Sequence, residues 1–318
     1  MSTPRVNLKS SLEAALGNEV VEDAPLSAHT SFRIGGPAAL FVRADRVEQV
    51  AAALAFAHAQ GIPALVVGAG TNLLVSDGGF DGLALRPEIG GVSIGEGGRS
   101  VTVGAGVATA ALVERLIAEG LAGLEFAAGL PGTIGGAIAG NAGCFGGAFG
   151  DRLIAATLIE ADGTIVELGD PSWFAFDYRC SRVANTGAVV ARATFEVEPG
   201  DRLHLEEIAA QRVATRRQKH PAAGVRTAGS YFKNLPPEAP GGLRRAAGAL
   251  LDQVGAKAMR VGDAVVFERH ANIIVNAGSA SARDVLALAE KMRAAVRDRF
   301  GVLLEPEIRF VGPKPEGI

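Results

Sequence analysis

Apolar positions along this chain recur with two different periods. Residues 46–60, RVEQVAAALAFAHAQ, repeat at helical spacing and stop at Gly61. PALVVGAG follows as a short buried strand that runs into glycines. The same order returns in VTVGAG (101–106), a strand ending in G-x-G, and TAALVERLIAEG, a helix stopped by glycine. LIAATLIEADGTIVEL (153–168) reads as a hairpin turned at Asp162–Gly163, and AVVARATFEVE (188–198) alternates like a strand. Pro199–Gly200 then marks a domain boundary. A helix over 202–217 ends in the basic residues Arg212, Arg216, Arg217 and Lys219, and NIIVN (272–276) is a short strand. Ser281 and Asp284 form a capping box opening a last long helix, with Val285, Leu288, Ala289, Met292 and Val296 as its buried stripe. VLLEPEIRFV closes the chain as a strand. Helices and strands mix without the even rhythm of one doubly wound sheet, so the class is α+β.

One stretch fits neither period. Residues 126–150, FAAGLPGTIGGAIAGNAGCFGGAFG, carry no charge and nine glycines. The run is long enough to cross a bilayer, and Gly132, Gly136 and Gly140 have small-xxx-small spacing. Pro131 and the glycines oppose a helix, since each interior Gly costs about 1 kcal/mol and Pro about 3. No Lys/Arg cluster flanks the run. A loop whose main-chain N–H groups wrap a phosphate fits better.

Bulk composition narrows the classes. The 318 residues hold two or three domains, with 48% apolar and 20% charged residues, as in a soluble globular protein. A net charge of −3 argues against a general nucleic-acid binder. Cys144 and Cys180 make neither a disulfide framework nor a metal signature, which points to a reducing cytoplasm. No His lies in ligand spacing, so no metal is expected, and MSTPRVNLKSSLEAAL lacks a signal-peptide core.

The short motifs are ambiguous one at a time. In VVGAGTNLLV (66–75), Gly68 and Gly70 fit a dinucleotide fingerprint, but Leu73 stands where the third Gly belongs and no helix follows. A tight turn, or a phosphate turn using main-chain N–H groups with Thr71 and Asn72, fits instead. Tyr178–Arg179 in FDYRCS could be a surface pair, and Ser230 in GSYFKN a turn residue. In LEPEIRF, Glu305, Glu307 and Arg309 share one face of a strand and Ile308 and Phe310 the other. RRQKHP (216–221) reads as a charge cluster at a helix C-terminus.

Together these segments carry a resemblance. TSFRIGGPA (30–38), VVGAGTNLLVSDGGFDG (66–82), GLPGTIGGAIAGNAGCFGG (129–147), YRCS, RRQKHP, GSYFKN, HANIIVNAG (270–278) and LEPEIRF occur in this order. The chain resembles the UDP-N-acetylenolpyruvoylglucosamine reductases of bacterial wall synthesis, from about residue 27 to 311. The resemblance implies a two-subdomain FAD-binding fold of the vanillyl-alcohol-oxidase type plus a smaller α+β substrate domain. It divides the chain into an N-terminal segment (1–26), an FAD domain (27–198, subdomains about 27–85 and 86–198) and a substrate domain (199–318). It implies non-covalent FAD, NADPH as hydride donor and a ping-pong reduction of UDP-N-acetylglucosamine enolpyruvate to UDP-N-acetylmuramate by a cytoplasmic monomer.

The resemblance also assigns residues. Arg179, Ser230 and Glu307 match the catalytic positions: a guanidinium for the carboxylate, a proton donor, and a carboxyl assisting enol formation. Arg33, Gly35, Gly68, Gly70, Thr71, Asn72, Leu73, Pro131, Gly132, Thr133, Gly135, Gly136, Asn141 and Gly143 match cofactor contacts. Tyr178, Lys219, Lys233, Asn234 and Asn272 match substrate contacts. Leu235 stands where the family commonly has Pro, Met259 where it has an aromatic residue, and Phe267 where Ser is frequent. The third domain shows no inserted Tyr-bearing loop, which suggests the shorter structural type. Two other readings stand beside this one: a related flavin oxidase of an alcohol or amine, with Cys144 as its one tether for FAD, and a non-catalytic sensor of UDP-sugar or flavin.

Overall fold

The computed structural model describes residues 5–239 and 242–315. The first four residues of the N-terminal segment and the last three of the substrate domain lie outside the described residues. By packing, the chain forms two units. One contains the chain up to Ala24 with Ala38–Ala69 and Asp81–Arg216, and the other Pro25–Pro37, Gly70–Phe80 and the chain from Arg217.

The first unit is built on two sheets. Strands Val20–Pro25, Pro37–Ala44, Phe80–Pro87 and Ala64–Val66 lie in that order, and Ala64–Val66 runs parallel to Phe80–Pro87. The other sheet is antiparallel, in the order Ile165–Leu168, Leu153–Ile159, Val189–Glu196, Ser100–Gly104, Val92–Ile94. Helix Val47–Gln60 buries Val50, Ala53, Leu54 and Ala57, one side of its turns, and ends at Gly61 with φ 63°. Glycine takes that left-handed cap without a Cβ clash. Helix Thr109–Ala118 buries Leu112, Val113, Leu116 and Ile117 in the same manner. A second core holds Phe126, Phe149 and Phe195 edge to face at 5.4 and 5.6 Å. Each such ring stabilises the fold by roughly 1.5–3 kcal/mol through burial.

The predicted hairpin forms, with Ile159 opposite Ile165 and Asp162–Gly163 inside its turn. Gly163 is required there twice over. Its φ is 90°, and an added Cβ would stand 2.7 Å from Ala55 Cβ. Pro199 pairs with Leu121, Gly200 N–H donates to Gly120 O at 2.8 Å, and Leu205 enters the first unit's core. Among the described residues, no helix is long and apolar enough to cross a membrane. The glycine stretch instead forms a turn at Glu125–Ala127, the short helix Ile134–Ala139 and a hairpin of Gly143–Cys144 with Gly147–Ala148.

The second unit rests on helix Ala282–Phe300. Its capping box is present: Asp284 N–H donates to Ser281 Oγ at 3.1 Å and Ser281 N–H to Asp284 Oδ2 at 2.9 Å. Val285, Leu288, Ala289, Met292 and Val296 are all buried. A second cap comes from far along the chain, because Asp77 accepts from Ala282 N–H at 2.8 Å and Arg283 N–H at 3.2 Å. Arg260–Val261, Ala264–Val266 and Ile274–Asn276 make an antiparallel sheet, and Leu73–Val75 runs parallel to Arg309–Val311. The closing strand expected from Val302 is regular only over Arg309–Val311. Pro306 has no N–H to donate, and the chain there pairs with Phe232 through a single bridge.

Candidate active site

In the second unit the GSYFKN segment is a central rail. Ser230 bridges Ile273 and Phe232 bridges Pro306. Tyr231 N–H donates to Asn272 O at 2.7 Å, Glu307 N–H to Tyr231 O at 2.7 Å, and Lys233 N–H to Glu305 O at 2.8 Å. Ser230 and Glu307 are therefore diagonal neighbours on adjacent extended segments. Both are half-buried, whereas Glu305 and Arg309 are exposed and Ile308 is buried. That alternation matches the reading of LEPEIRF.

Asn272 is 2% exposed, and its amide is spent on one residue: Nδ2 donates to Phe232 O at 2.8 Å and Oδ1 accepts from Phe232 N–H at 2.9 Å. It serves as a strand partner for the rail. Asn234 Oδ1 accepts from Ala247 N–H at 3.2 Å, at the start of helix Ala247–Gln253. Lys233 is half-buried and Lys219 exposed. Leu235 N–H donates to Arg245 O at 3.0 Å, a bond that the family's Pro could not make. Met259 packs on the unit's core, and Phe267 lies under the Arg269 guanidinium at 5.1 Å.

The turn at 70–72 joins this rail. Asn72 Nδ2 donates to Glu307 O at 3.2 Å, Arg309 N–H donates to Asn72 O at 3.0 Å, and Leu73 opens the paired strand. Gly70 has φ 65°, and an added Cβ would stand 2.7 Å from Thr30 Cα. Among the described residues, the N–H groups of Gly70, Thr71 and Asn72 meet no protein acceptor. Gly70 is itself buried. A buried donor without an acceptor is uncommon in a folded protein, so this turn suits an anionic ligand group such as a nucleotide diphosphate. Arg33 (φ 57°) and Gly35 line a cleft of about 390 Å³ with Asp77, Asn276 and Ser279. Arg33 Nη1 donates to Ala28 O at 3.0 Å.

The first unit holds the remaining predicted residues. Arg179 sits at φ 54°, donates from Nη2 to Gly143 O at 2.8 Å, and places its guanidinium 5.5 Å from the Tyr178 ring. Asn141, at φ 40° and 8% exposed, donates to Asp177 O and accepts from Gly150 N–H, both at 3.0 Å. Its amide ties the glycine loop to the Tyr178–Arg179 turn. Non-glycine residues with positive φ are strained, and such strain gathers at functional sites. Thr133 Oγ1 caps Gly136 N–H at 3.4 Å, and a Cβ on Gly68 would stand 2.6 Å from that oxygen. Gly135 N–H donates to Ala105 O at 2.9 Å, and Gly132 has φ 125°. Pro131 is exposed.

The basic helix end, read from sequence as a dipole-stabilised cluster, has specific partners. Arg216 Nε donates to Gly129 O at 3.2 Å, and the Arg212 guanidinium lies 5.6 Å from the Phe145 ring. Cys144 Sγ donates to Phe126 O at 2.8 Å, and burial pushes its thiol pKa up. Sequence reasoning did not assign Asp77, Phe145, Arg212 or Arg216 to a site. The available signals were the i,i+4 spacing of the two arginines and one large ring between glycines. Among the described residues no group of three or more His, Cys, Asp or Glu could hold a metal ion.

Comparison with known proteins bears directly on these elements. Residues 38–169 match the FAD binding domain family, and residues 220–311 match the C-terminal domain of UDP-N-acetylenolpyruvoylglucosamine reductase. UDP-N-acetylenolpyruvoylglucosamine reductase 2 of Symbiobacterium thermophilum is 41% identical over 291 residues, 92% of each chain. The reductase of Geobacter metallireducens is 40% identical over 309 residues, 96% of this chain and 98% of its own. The crystal structure of UDP-N-acetylenolpyruvylglucosamine reductase from Thermus caldophilus aligns with TM-score 0.75 at 31% identity, over 92% of this chain and 98% of that one. An FAD-binding domain, a reductase C-terminal domain and near full-length identity of this degree place the chain in the UDP-N-acetylenolpyruvoylglucosamine reductase family, oxidoreductases of the UDP-N-acetylmuramate dehydrogenase type.

Proposed function

We propose that this chain reduces UDP-N-acetylglucosamine enolpyruvate to UDP-N-acetylmuramate, with NADPH as hydride donor and FAD held non-covalently. The observation that supports the reading is the pairing of Tyr231 with Glu307, which fixes the segment carrying Ser230 against the segment carrying Glu307. On this reading the protein works as a cytoplasmic monomer. Residues about 27–198 serve chiefly the cofactor and 199–318 the substrate.

FAD, when bound, would carry the hydride between NADPH and substrate, which is the basis for a ping-pong order. The N–H groups at Gly70–Asn72, which meet no protein acceptor among the described residues, suit its diphosphate. The protein side chains supply the rest. Hydride adds to the terminal carbon of the enolpyruvyl double bond, and negative charge develops on the adjacent carbon and its carboxylate. Arg179 is a permanent, forked cation suited to that carboxylate. Its bond to Gly143 O fixes the guanidinium in advance, which favours stabilisation of developing charge. The Ser230 hydroxyl gives its proton to the adjacent carbon, and Glu307 assists the enol form next to the carboxylate. A serine is a weak acid, so placement must supply what acidity does not. Lys219, Lys233, Asn234 and Tyr178 offer cations and donors for the UDP-sugar, and Asn272 braces the rail at Tyr231 and Phe232.

The test is an absorbance spectrum of the purified protein under anaerobic conditions. A flavin band that bleaches with NADPH and returns with the UDP-enolpyruvyl sugar supports the reading. A protein that cannot be reconstituted with FAD contradicts it.

A further inference from the structure

The hairpin Gly143–Cys144/Gly147–Ala148 turns through Phe145 and Gly146, with φ 51° and 85°. A two-residue turn with both φ values positive normally takes Asn-Gly or Gly-Gly. A bulky residue at the first position is an outlier, so local folding does not account for Phe145. Nor does core packing, because the side chain is among the exposed large hydrophobics, at 42%. One face of its ring meets the Arg212 guanidinium at 5.6 Å.

The charge around the hairpin is uneven. Arg179, Arg212 and Arg216 converge on it, through Gly143 O, the Phe145 ring and Gly129 O. Glu125 is the one acidic partner these contacts include, with Oε1 3.9 Å from Arg212 Nη1 and Oε2 accepting Gly123 N–H at 2.7 Å. The Cys144 thiol, raised by burial, adds no negative charge at neutral pH. Arg212 Nη1 is buried and makes no hydrogen bond. The Asp151 carboxylate, which accepts Ala148 N–H at 2.8 Å, also lies at the hairpin, and the guanidinium groups of Arg212 and Arg216 stand beside its exposed aromatic face.

We propose that Phe145 and Arg212 form a shelf that receives a nucleotide, with its planar base stacked on the Phe145 ring and its phosphates facing Arg212 and Arg216. The inference rests on the reading of the chain as a nucleotide-using reductase. Two nucleotides share this chemistry, the hydride donor and the uridine diphosphate of the substrate. Phe145 is thus a positioning residue for one of the two.

The test is calorimetric binding of NADP+ and of UDP to the FAD-loaded protein, for wild type and for Phe145→Leu, Phe145→Tyr, Phe145→Gly and Arg212→Gln. Phe145→Leu and Arg212→Gln should weaken the same one of the two ligands by tenfold or more and spare the other. Phe145→Tyr should restore binding. Phe145→Gly suits the left-handed turn, so it should fold at least as well and still lose that ligand, which separates stacking from folding. Weakening of NADP+ names the hydride donor as occupant, and weakening of UDP names the substrate. Unchanged affinity for both in Phe145→Leu, or a loss of FAD content in place of either, overturns the shelf. Binding of both nucleotides without any turnover contradicts the proposed reaction and leaves the shelf standing. Binding of neither to wild type overturns both.

Discussion

Asn72 donates from its side-chain amide to the main-chain oxygen of Glu307 at 3.2 Å, and the Arg309 N–H returns a bond to Asn72 O at 3.0 Å. A turn predicted to face the cofactor thus holds the segment that carries a proposed catalytic carboxyl. Asn72→Ala should lower unfolding stability by about 1 kcal/mol, the value of one hydrogen bond. It should also slow substrate-driven flavin reoxidation more than flavin reduction by NADPH. Urea unfolding and stopped-flow absorbance measure the two effects. Equal slowing of both half-reactions would mean that the contact only stabilises.

Asp77 links residues about 205 positions apart by capping the N-terminus of helix Ala282–Phe300. Asp77→Ala removes a carboxylate from the positive end of a helix and leaves two N–H groups without that acceptor. We expect a loss of about 0.5–2 kcal/mol, read from denaturant midpoints. Asp77→Asn, which keeps an oxygen acceptor, should recover part of it.

Buried Tyr231 and half-buried His270 predict opposite pH limits. Burial pushes Tyr231 up to about 12 from the ordinary value of 10.0. The unfolded chain loses that proton first, so stability should fall as pH rises from 10 towards 12. Tyr231→Phe should flatten this alkaline limb. Burial lowers the His270 pKa below its ordinary value of 6.5, with Lys219 and Lys257 acting the same way. Its Nδ1 accepts from Asn272 N–H at 3.3 Å, which requires the neutral ring. The unfolded chain then binds the extra proton, so stability should fall as pH drops below 6.5. His270→Gln should reduce that acid slope, measured by thermal melts across the pH series.

Arg179 combines a strained backbone with a defined side-chain anchor at Gly143 O. Arg179→Lys keeps the charge and loses the fork. It should leave FAD content and NADPH-driven bleaching near normal and slow the second half-reaction by 10²-fold or more, in line with loss of an oriented donor. Near wild-type reoxidation in Arg179→Lys would show that charge alone suffices there.

Much of this was legible in the chain because local rules and tertiary packing agree. The capping box at Ser281, the stripe from Val285 to Val296 and the hairpin at Asp162–Gly163 follow from spacing alone. Elements held by distant partners were harder to see. Asp77 caps a helix that begins at residue 282, and no periodicity encodes that. The closing strand is shorter than its alternation suggests, because Pro306 interrupts the ladder. Asn272 belongs to a recognisable motif, yet burial turns its amide inward to Phe232. Arg212 and Arg216 read as a helix-end cluster until the fold brings the glycine hairpin beneath them.

In the proposed reaction Ser230 delivers the proton in a step separate from hydride acceptance. The most direct measurement is the pair of half-reaction rates of Ser230→Ala, followed by flavin absorbance in a stopped-flow instrument. Bleaching by NADPH at nearly the wild-type rate, with reoxidation by the UDP-enolpyruvyl sugar slowed by orders of magnitude, is the predicted result. Equal slowing of both halves, or normal reoxidation, would contradict it.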